Sequence, residues 1–257
     1  MNRRVDIRFE VTEANQLTDS VTFLKVRPED NRTLPEIYPG QFVNIRVKGE
    51  EIFLRRPISI CNYDNINNEI WLIIKNVGKG SNILCKTERG EVIDILLPLG
   101  RGFTLPKTTN SKILLLGGGV GTAPLYFLGK WLKMLDIRPS FLLAARTKDE
   151  LFFIEEFKKL GNVYISTDNG TEGSKGLITE NKLLEESWDN FYVCGPAPMM
   201  KAIARIARER NIECEVSLEN RMACGLGACL CCVEDTVRGN VCTCTEGPVF
   251  NIKNLKW

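Results

Sequence analysis

The sequence contains no histidine among its 257 residues, and this absence narrows the chemistry open to the protein. Histidine is the side chain that ordinarily exchanges protons near neutral pH, and it is a frequent metal ligand. Its absence excludes histidine-based catalysis, Rieske-type iron–sulfur ligation and zinc sites that use histidine. Because a protein that only moves electrons needs no such group, the composition favours redox transfer.

The sequence also lacks an excess of charge of either sign and any long apolar run. It has 34 Lys and Arg against 32 Asp and Glu, so nothing favours a nucleic acid or an anionic membrane surface as partner. No run of about 18 apolar residues predicts a membrane span, and the first residues lack the apolar core of a signal peptide. We therefore expect a cytoplasmic protein whose thiols stay reduced.

Cysteine, in contrast, is concentrated in one place, since six of the ten cysteines lie within residues 224–244. Cys224, Cys229 and Cys232 form a C-x4-C-x2-C run, which is similar to the loop that binds a plant-type [2Fe–2S] cluster. A fourth thiolate is available at Cys242 or Cys244. The spacing therefore predicts an iron–sulfur cluster.

Two other interpretations of the cysteines stay open. A zinc site would more usually show two C-x2-C pairs separated by a longer loop, and buried structural cysteines would rarely gather in so short a stretch. Gly225 and Gly227 favour the cluster, because glycine lets the backbone turn its N–H groups towards an anionic group.

Residues 1–103 are predicted to form a small antiparallel β-barrel. Short, often alternating segments are separated by turn signals such as Pro39-Gly40 and Arg89-Gly90. A short helix is expected over 78–84, and 106–110 is expected to be a linker. The predicted strands are 4–11, 21–26, 41–47, 69–75 and 92–97.

Residues 111–218 are predicted to form a doubly wound parallel sheet, because apolar strands alternate with helices. Residues 219–257 then form a C-terminal cluster-binding segment. The predicted strands are 113–116, 141–145, 163–167, 191–194 and 212–218, and the predicted helices are 123–135, 149–160, 177–184 and 198–209.

Two motifs in the barrel region suggest an anionic cofactor. Residues 55–60, Arg-Arg-Pro-Ile-Ser-Ile, are expected at the end of a strand, where an arginine suits a diphosphate and Ser59 can reach a flavin ring. Residues 78–81, Gly-Lys-Gly-Ser, offer backbone N–H groups and a helix start. A solvated strand edge and an ordinary glycine turn are the alternatives.

Two further motifs follow strands of the parallel sheet. Residues 119–124, Gly-Val-Gly-Thr-Ala-Pro, open a helix, although Pro124 departs from the G-x-G-x-x-G dinucleotide fingerprint. Residues 194–196, Cys-Gly-Pro, end another strand at the same carboxyl edge, where such folds bind ligands. A tight turn without a ligand and a small buried cysteine are the alternatives.

Taken in order, these motifs resemble the ferredoxin–NADP reductase superfamily, in which a flavin barrel precedes a nicotinamide-binding domain. The run Arg-Met-Ala-Cys-Gly-Leu-Gly-Ala-Cys at 221–229 and Gly-Pro-Val-Phe at 247–250 are more specific. They resemble the electron-transfer subunits of NAD-dependent (type B) dihydroorotate dehydrogenase. The resemblance covers nearly the whole chain.

The resemblance implies roles for individual residues. It makes Cys244 the fourth cluster ligand and leaves Cys231 and Cys242 as bystanders. Some relatives stack a terminal aromatic residue on the flavin, but Trp257 follows the cluster segment and is expected to be packed or disordered. The usual flavin-motif tyrosine is replaced by Ile58. The implied FAD-binding residues are Arg56, Pro57, Ile58, Ser59, Ile73, Ile74, Lys75, Gly80 and Ser81; the implied NAD-binding residues are Gly119, Gly121, Thr122, Cys194, Gly195 and Pro196; the implied [2Fe–2S] ligands are Cys224, Cys229, Cys232 and Cys244.

The resemblance also implies a function in pyrimidine biosynthesis. Electrons would come from the FMN of a separate catalytic subunit that oxidises dihydroorotate, pass through [2Fe–2S] and FAD, and reduce NAD+. The complex would be a heterotetramer with two copies of each subunit. Nothing in this sequence resembles a dihydroorotate site, so no catalytic residue is predicted.

Three points stay open at the level of sequence. A ferredoxin- or sulfide-linked NAD(P)H reductase subunit shares much of this layout, and a sensor or assembly module that binds a cluster or zinc without turnover is a third class of function. The choice between NAD and NADP is also open, because the strand 141–145 is followed by Arg146 rather than by an acidic residue.

Overall fold

The computed structural model describes residues 4–49 and 52–257, which divide into two compact units. Residues of the C-terminal segment belong to both units. The first unit comprises the chain up to Gly102, Asn220–Glu234 and Asn240–Pro248; the second comprises Phe103–Glu219, Asp235–Gly239 and Val249–Trp257.

The first unit contains a closed antiparallel barrel with the strand order β1-β2-β5-β4-β3-β6. Its interior is apolar, with Phe9, Leu24, Ile60 and Leu72 completely buried. Helix α1, Lys79–Cys85, lies between β5 and β6, close to the predicted position. The strands are β1 Val5–Thr18, β2 Val21–Pro28, β3 Phe42–Ile45, β4 Arg56–Asp64, β5 Glu69–Lys75 and β6 Val92–Leu99.

Strand β4 corrects the sequence prediction. The arginine–proline motif was expected at the end of a strand, but it begins a nine-residue strand that the sequence did not reveal. Proline within a strand argues against a central position, because it cannot donate to the ladder. Here Pro57 lies opposite Asn44 of β3, and a register shift between Ile60 and Asn62 further breaks the alternation.

The second unit contains a sheet with the order β10-β9-β8-β7-β11-β12-β15. All neighbours are parallel except β15, which runs antiparallel to β12. The chain order reverses between β7 and β11, the point at which doubly wound sheets bind ligands. The strands are β7 Ile113–Gly118, β8 Ser140–Ala145, β9 Asn162–Thr167, β10 Ser174–Lys175, β11 Asn190–Cys194 and β12 Glu213–Ser217; the helices are α2 Thr122–Met134, α3 Ile154–Lys158 and α4 Ala197–Glu209.

The predicted fold class, a barrel joined to a parallel-sheet unit and a C-terminal cluster segment, is confirmed, but two predicted helices are wrong. The helix 149–160 is reduced to a 3-10 turn, Lys148–Glu150, and the five residues of α3. Phe153 interrupts it with φ +58° and packs edge-on against Tyr126, with ring centroids 5.7 Å apart. Tertiary packing of the aromatic rings therefore overrides the local helical pattern.

The predicted helix 177–184 is replaced by two 3-10 turns, Ile178–Glu180 and Lys182–Glu185. Between them the side chain of Asn181 accepts a hydrogen bond from the backbone N–H of Leu183 at 2.9 Å. This local side-chain bond favours a turn over a continuing helix.

The C-terminal segment forms short elements rather than a single loop. A hairpin of β13, Val233–Thr236, and β14, Gly239–Cys242, is followed by the short helix α5, Thr243–Glu246, and by β15, Val249–Asn251. Strand β15 is the antiparallel edge of the sheet in the second unit, which the sequence did not predict. Within the ranges 4–49 and 52–257, every helix is too short or too polar to cross a membrane.

Candidate redox centre

The cysteine loop packs against an apolar part of the barrel. Met222, Cys232 and Cys244 form a buried cluster with Phe42 of β3 and Leu99 of β6. Cys244 is completely buried and Cys232 is 2% exposed. Sulfur atoms in this position are shielded from solvent, a factor that sets the potential of an iron–sulfur cluster.

Glycine is required at two points of this loop. Gly225 and Gly227 have φ values of +70° and +84°, in the left-handed region that favours glycine. A β-carbon on Gly225 would also lie 3.0 Å from Asn44 Nδ2 and 3.1 Å from Leu99 Cδ1. The loop therefore approaches the barrel too closely for a larger residue to be accommodated without a shift.

Backbone N–H groups of the loop point at the first thiol. The N–H of Leu226 donates to Cys224 Sγ at 3.3 Å. Burial raises the pKa of the Cys224 thiol, but hydrogen bonds from the backbones of Leu226, Cys229 and Ala228 and from the Cys229 side chain outweigh it and lower the pKa to about 6. The loop thus stabilises the thiolate, which is the form that binds metal.

The thiols that follow later in the chain lie beside Cys232. The backbone N–H of Cys244 donates to Cys232 Sγ at 3.4 Å. Burial, followed by the hydrogen bond and the charge of Cys232, raises the pKa of Cys244 to about 12. Burial and the neighbouring Cys232 also raise the pKa of Cys242. Each of these thiols disfavours the ionisation of its neighbour. They can therefore become thiolate ligands together only when a metal cation neutralises their negative charge.

Two cysteines make different contacts. Cys231 is exposed, and its Sγ donates to the backbone carbonyl of Arg221 at 3.7 Å. Cys242 is half-buried, and its Sγ donates to the carbonyl of Gly227 at 3.8 Å. In residues 4–49 and 52–257, no group of three or more His, Cys, Asp or Glu side chains is close enough together to hold a metal ion.

The residues of the loop fit a [2Fe–2S] cluster. The donor set consists of sulfur alone, N–H groups face the thiols, and apolar side chains cover one side of the loop. These are the features by which proteins bind and tune such clusters.

The two barrel motifs that were predicted to bind an anion lie together. A β-carbon on Gly80 would be 2.5 Å from Nε and 2.6 Å from Nη2 of Arg56, so the guanidinium group lies directly over Gly80. The same group donates to the carbonyl of Leu54 at 2.7 Å. This cradle of a fixed cation beside a helix start fits the diphosphate of FAD.

Ser81 uses its hydroxyl group within its own turn. Its Oγ accepts hydrogen bonds from the N–H groups of Val77 and Gly78 at 2.9 and 3.1 Å, and it donates to the carbonyl of Gly78 at 3.0 Å. Ser81 is 7% exposed. The hydroxyl therefore stabilises the turn itself. This agrees with the alternative interpretation of residues 78–81, an ordinary glycine turn, as far as the Ser81 side chain is concerned.

The remaining residues of the flavin prediction lie on two strands. Pro57, Ile58 and Ser59 are half-buried and pair with β3. Ile73 and Ile74 are buried at 5% and 1% exposure, so only their backbone groups and the half-buried Lys75 are available to a cofactor.

In the second unit, the turn after β7 approaches the end of β11 closely. A β-carbon on Gly121 would lie 2.4 Å from the carbonyl oxygen of Cys194, so glycine is needed there for packing. Gly119 has φ +56°, and Thr122 Oγ1 donates to its carbonyl at 2.9 Å. The turn therefore lies at the reversal of strand order, where a dinucleotide is expected.

Cys194 itself is a structural residue by its environment. It is 1% exposed, and burial together with the charge of Glu219 raises its pKa well above the usual value. A buried, protonated thiol is inert. The thiol of Cys194 is therefore not a reactive group of the site.

The end of β8 carries an ion pair that the sequence did not reveal. Arg146 Nη2 lies 2.5 Å from Glu150 Oε1, and the exposed fractions of the two side chains are 73% and 28%. The hydrogen bond and charge of Glu150, with a smaller contribution from Asp168, raise the pKa of Arg146. An acidic side chain from four positions later in the chain therefore lies beside the arginine that follows the strand.

Two buried asparagines in the barrel were also missed. Asn44 and Asn62 are both completely buried. Asn44 Oδ1 and both polar atoms of the Asn62 side chain find no hydrogen-bond partner within residues 4–49 and 52–257. A buried polar group without a partner costs about 1–3 kcal/mol. Asn44 Nδ2 donates to the carbonyl of Ala223 in the cysteine loop at 3.3 Å.

Comparison with known proteins identifies each region. The family described as the iron–sulfur cluster binding domain of dihydroorotate dehydrogenase B matches residues 219–256. An oxidoreductase FAD-binding domain matches residues 8–103, and an oxidoreductase NAD-binding domain matches residues 115–205. FAD, [2Fe–2S] and NAD are therefore the cofactors of this chain.

Relatives match more than four fifths of the chain. The electron transfer subunit of dihydroorotate dehydrogenase B (NAD(+)) from Fusobacterium nucleatum is 43% identical over 221 residues, which are 82% of this chain and 84% of that protein. The chain belongs to this family of electron transfer subunits. The Bacillus mycoides subunit is 40% identical over 224 residues, 83% of this chain and 85% of that protein.

Solved structures share the architecture of this electron transfer subunit family. A chain of an NADH-dependent reduced ferredoxin–NADP oxidoreductase has a TM-score of 0.86 at 29% identity, and the match covers 97% of this chain and 90% of that chain. A flavohaem-like FAD/NAD-binding domain of a Vibrio cholerae nitric oxide dioxygenase has a TM-score of 0.71 at 21% identity, with 82% and 99% covered, and shows the fold alone. The predicted resemblance, cofactors and oxidoreductase function are confirmed.

Proposed function

We propose that the chain passes electrons derived from dihydroorotate to NAD+ in pyrimidine biosynthesis, receiving them from an FMN-containing catalytic subunit. The observation that carries the proposal is the presence of the cysteine loop and the Arg56–Gly80 cradle in one barrel unit. The cluster carries single electrons, and the flavin gathers two for transfer as hydride to the nicotinamide. The roles of the protein are binding, placement and control of potential.

For the cluster, we propose Cys224, Cys229, Cys232 and Cys244 as ligands. Complete burial of Cys244 and its contact with Cys232 favour it over Cys242, whose thiol is half-buried and directed at a backbone carbonyl. The N–H groups of the loop would hold negative charge on the sulfurs and thereby raise the potential of the cluster.

For FAD, we propose that Arg56 binds the diphosphate as a cation held over Gly80. The backbone N–H groups of Gly80 and Ser81 would bind the same group, while the Ser81 hydroxyl keeps the turn in place. The other proposed contacts come from Pro57, Ile58, Ser59, Ile73, Ile74 and Lys75.

For NAD, we propose a site at the carboxyl edge of the parallel sheet. Gly119, Gly121 and Thr122 would hold the pyrophosphate at the start of α2, and Pro124 in the first turn of this helix has no N–H to leave unpaired. The proposed nicotinamide contacts are Cys194, Gly195 and Pro196, through their backbone.

We propose that the catalytic subunit docks beside the cysteine loop. Leu226, Leu230 and Val233 are 46%, 64% and 39% exposed, and Cys229 between them is exposed as well. Exposed apolar residues in one short segment mark a protein interface. We expect a cytoplasmic heterotetramer with two copies of each subunit, and neither nucleic acid nor a membrane as partner.

We further propose three functional segments: residues 1–103 for FAD, 111–218 for NAD and 219–257 for the cluster. The family matches at 8–103, 115–205 and 219–256 support this division. Residues of the last segment belong to both compact units, so we propose it as a functional segment rather than as an independent domain.

A ferredoxin- or sulfide-linked NAD(P)H reductase subunit is the second candidate, favoured by the 29% identity to the ferredoxin–NADP oxidoreductase chain. The 43% identity to the Fusobacterium nucleatum subunit favours the first. Co-purification with native partners, followed by an assay of NAD+ reduction, separates the two. Reduction driven by dihydroorotate supports the proposal, and reduction driven only by ferredoxin or sulfide overturns it.

A further inference from the structure

Asn44 lies on β3 between the proposed flavin strand and the cysteine loop. It pairs with Pro57 of β4 on one side and with Leu96 of β6 on the other. Its backbone carbonyl accepts a hydrogen bond from Arg55 Nη1 at 3.2 Å, and Arg55 Nη2 is ion-paired with Asp6 at 2.8 Å. The main chain at Asn44 is therefore fixed to the start of β4.

The side chain of Asn44 reaches the other way, to the cysteine loop. Nδ2 donates to the carbonyl of Ala223 at 3.3 Å, and an ideal β-carbon on Gly225 would lie 3.0 Å from the same nitrogen. The carboxamide therefore contacts the residues on both sides of Cys224. The same β-carbon on Gly225 would lie 3.1 Å from Leu99 Cδ1, so the carboxamide and an apolar side chain meet the loop at the same point.

The Asn44 carboxamide does more than fill space in the barrel wall. Asn44 and Asn62 are both completely buried with unsatisfied side-chain atoms in the described chain, which carries a free-energy cost, but of the two only Asn44 donates a side-chain hydrogen bond to the cysteine loop. An apolar side chain of the same size would avoid that cost. It would, however, leave the Ala223 carbonyl without the donor that it has.

We propose that Asn44 is a positioning residue that holds the backbone at Cys224 in a fixed relation to the flavin strand, and so sets electron exchange between the cluster and FAD. This inference rests on the proposed function. Groups that hydrogen-bond the backbone around a metal ligand orient that ligand, and their loss typically reduces metal affinity or activity about 10- to 100-fold. Electron exchange between fixed centres is sensitive to small changes of this kind.

Asn44→Leu tests the proposal, with Asn62→Leu as the matched control. Asn62 is equally buried on β4, and neither polar atom of its side chain makes a hydrogen bond to any part of the described chain, the cysteine loop included. Each variant is purified anaerobically, and its flavin content, iron content and electron paramagnetic resonance spectrum after reduction by NADH are measured. Stopped-flow absorbance then gives the rate of cluster reduction after the flavin is reduced.

We expect Asn44→Leu to slow cluster reduction about tenfold or more and to change the resonance line shape, while Asn62→Leu behaves like the wild type. Equal behaviour of the two variants overturns the proposal. If Asn44→Leu does not fold, Asn44→Ser replaces it, because serine keeps a donor but is too short to reach Ala223, and the same slowing is expected. A wild-type protein without flavin or cluster would instead refute the proposed function.

Discussion

The guanidinium group of Arg56 occupies the space that a side chain on Gly80 would fill, since a β-carbon there would be 2.5 Å from Arg56 Nε. The two residues are 24 positions apart, one at the start of β4 and the other in the first turn of α1. Their contact joins two motifs that each gave only a weak signal in the sequence. The proposed FAD site can therefore be tested by adding a single methyl group at position 80.

Gly80→Ala is expected to weaken FAD binding about tenfold or more, because the new methyl group displaces a charge-assisted contact. The dissociation constant is measured by fluorescence after removal and re-addition of FAD. Gly78→Ala is the control, since a β-carbon at Gly78 meets nothing within 4 Å and its φ of 166° is extended backbone. Similar losses in both variants would show that the turn, rather than the Arg56 contact, matters.

Cys229→Ser is expected to abolish electron passage from the catalytic partner and to leave NADH oxidation by artificial acceptors largely intact. The reason is that NADH reduces the flavin directly, without the cluster. Cys231→Ser is the control, since its thiol is directed at the carbonyl of Arg221. Loss of both activities in Cys229→Ser would argue against this division of labour.

Cys244→Ser and Cys242→Ser are expected to differ in cluster content. Replacement of the completely buried Cys244 should remove most of the iron and acid-labile sulfide, whereas replacement of Cys242 should leave both near the wild-type level. The reverse pattern, found by iron and sulfide analysis of the anaerobically purified proteins, would assign Cys242 as the fourth ligand.

Glu150→Gln is expected to raise the use of NADP relative to NAD about tenfold. In the wild type Glu150 holds Arg146 in an ion pair, and its removal frees a guanidinium group for a 2′-phosphate. Steady-state kinetics with NADH and NADPH give the ratio of kcat/KM values.

Glu155→Gln is the control for that substitution, because Glu155 pairs with Lys158 on the surface of α3. An unchanged preference in Glu150→Gln would place the selection of the dinucleotide elsewhere. If the preference for NADP over NAD changed equally in both variants, the change would be due to net charge alone.

The sequence predicted the two kinds of sheet and the cysteine loop because their signals are local. Cysteine spacing, glycine turns and buried apolar runs each act within about ten residues. Strand β4 was not predicted because Pro57 and the irregular register near Asn62 obscure the two-residue alternation that is typical of a strand. The helix expected around 149–160 failed because Phe153 leaves helical geometry to pack on Tyr126, a partner 27 positions away.

The residues of the site that the sequence did not predict were missed for the same reason, because their contacts are not local. Asn44 and Ala223 are 179 positions apart, and nothing in either stretch predicts their contact. Glu150 lies in a 3-10 turn that the sequence presents as the start of a helix, so its ion pair with Arg146 was not expected. Residues that act by supporting others are revealed by tertiary packing, whereas ligand motifs are revealed by spacing.

The most direct test of the account is the absorbance and electron paramagnetic resonance of the anaerobically purified chain before and after NADH is added. We predict flavin and [2Fe–2S] absorbance in the oxidised protein, two irons per FAD, and a paramagnetic cluster signal that appears when NADH reduces it. A protein that holds a single zinc ion, or a flavin whose reduction by NADH never reaches a cluster, would contradict the account.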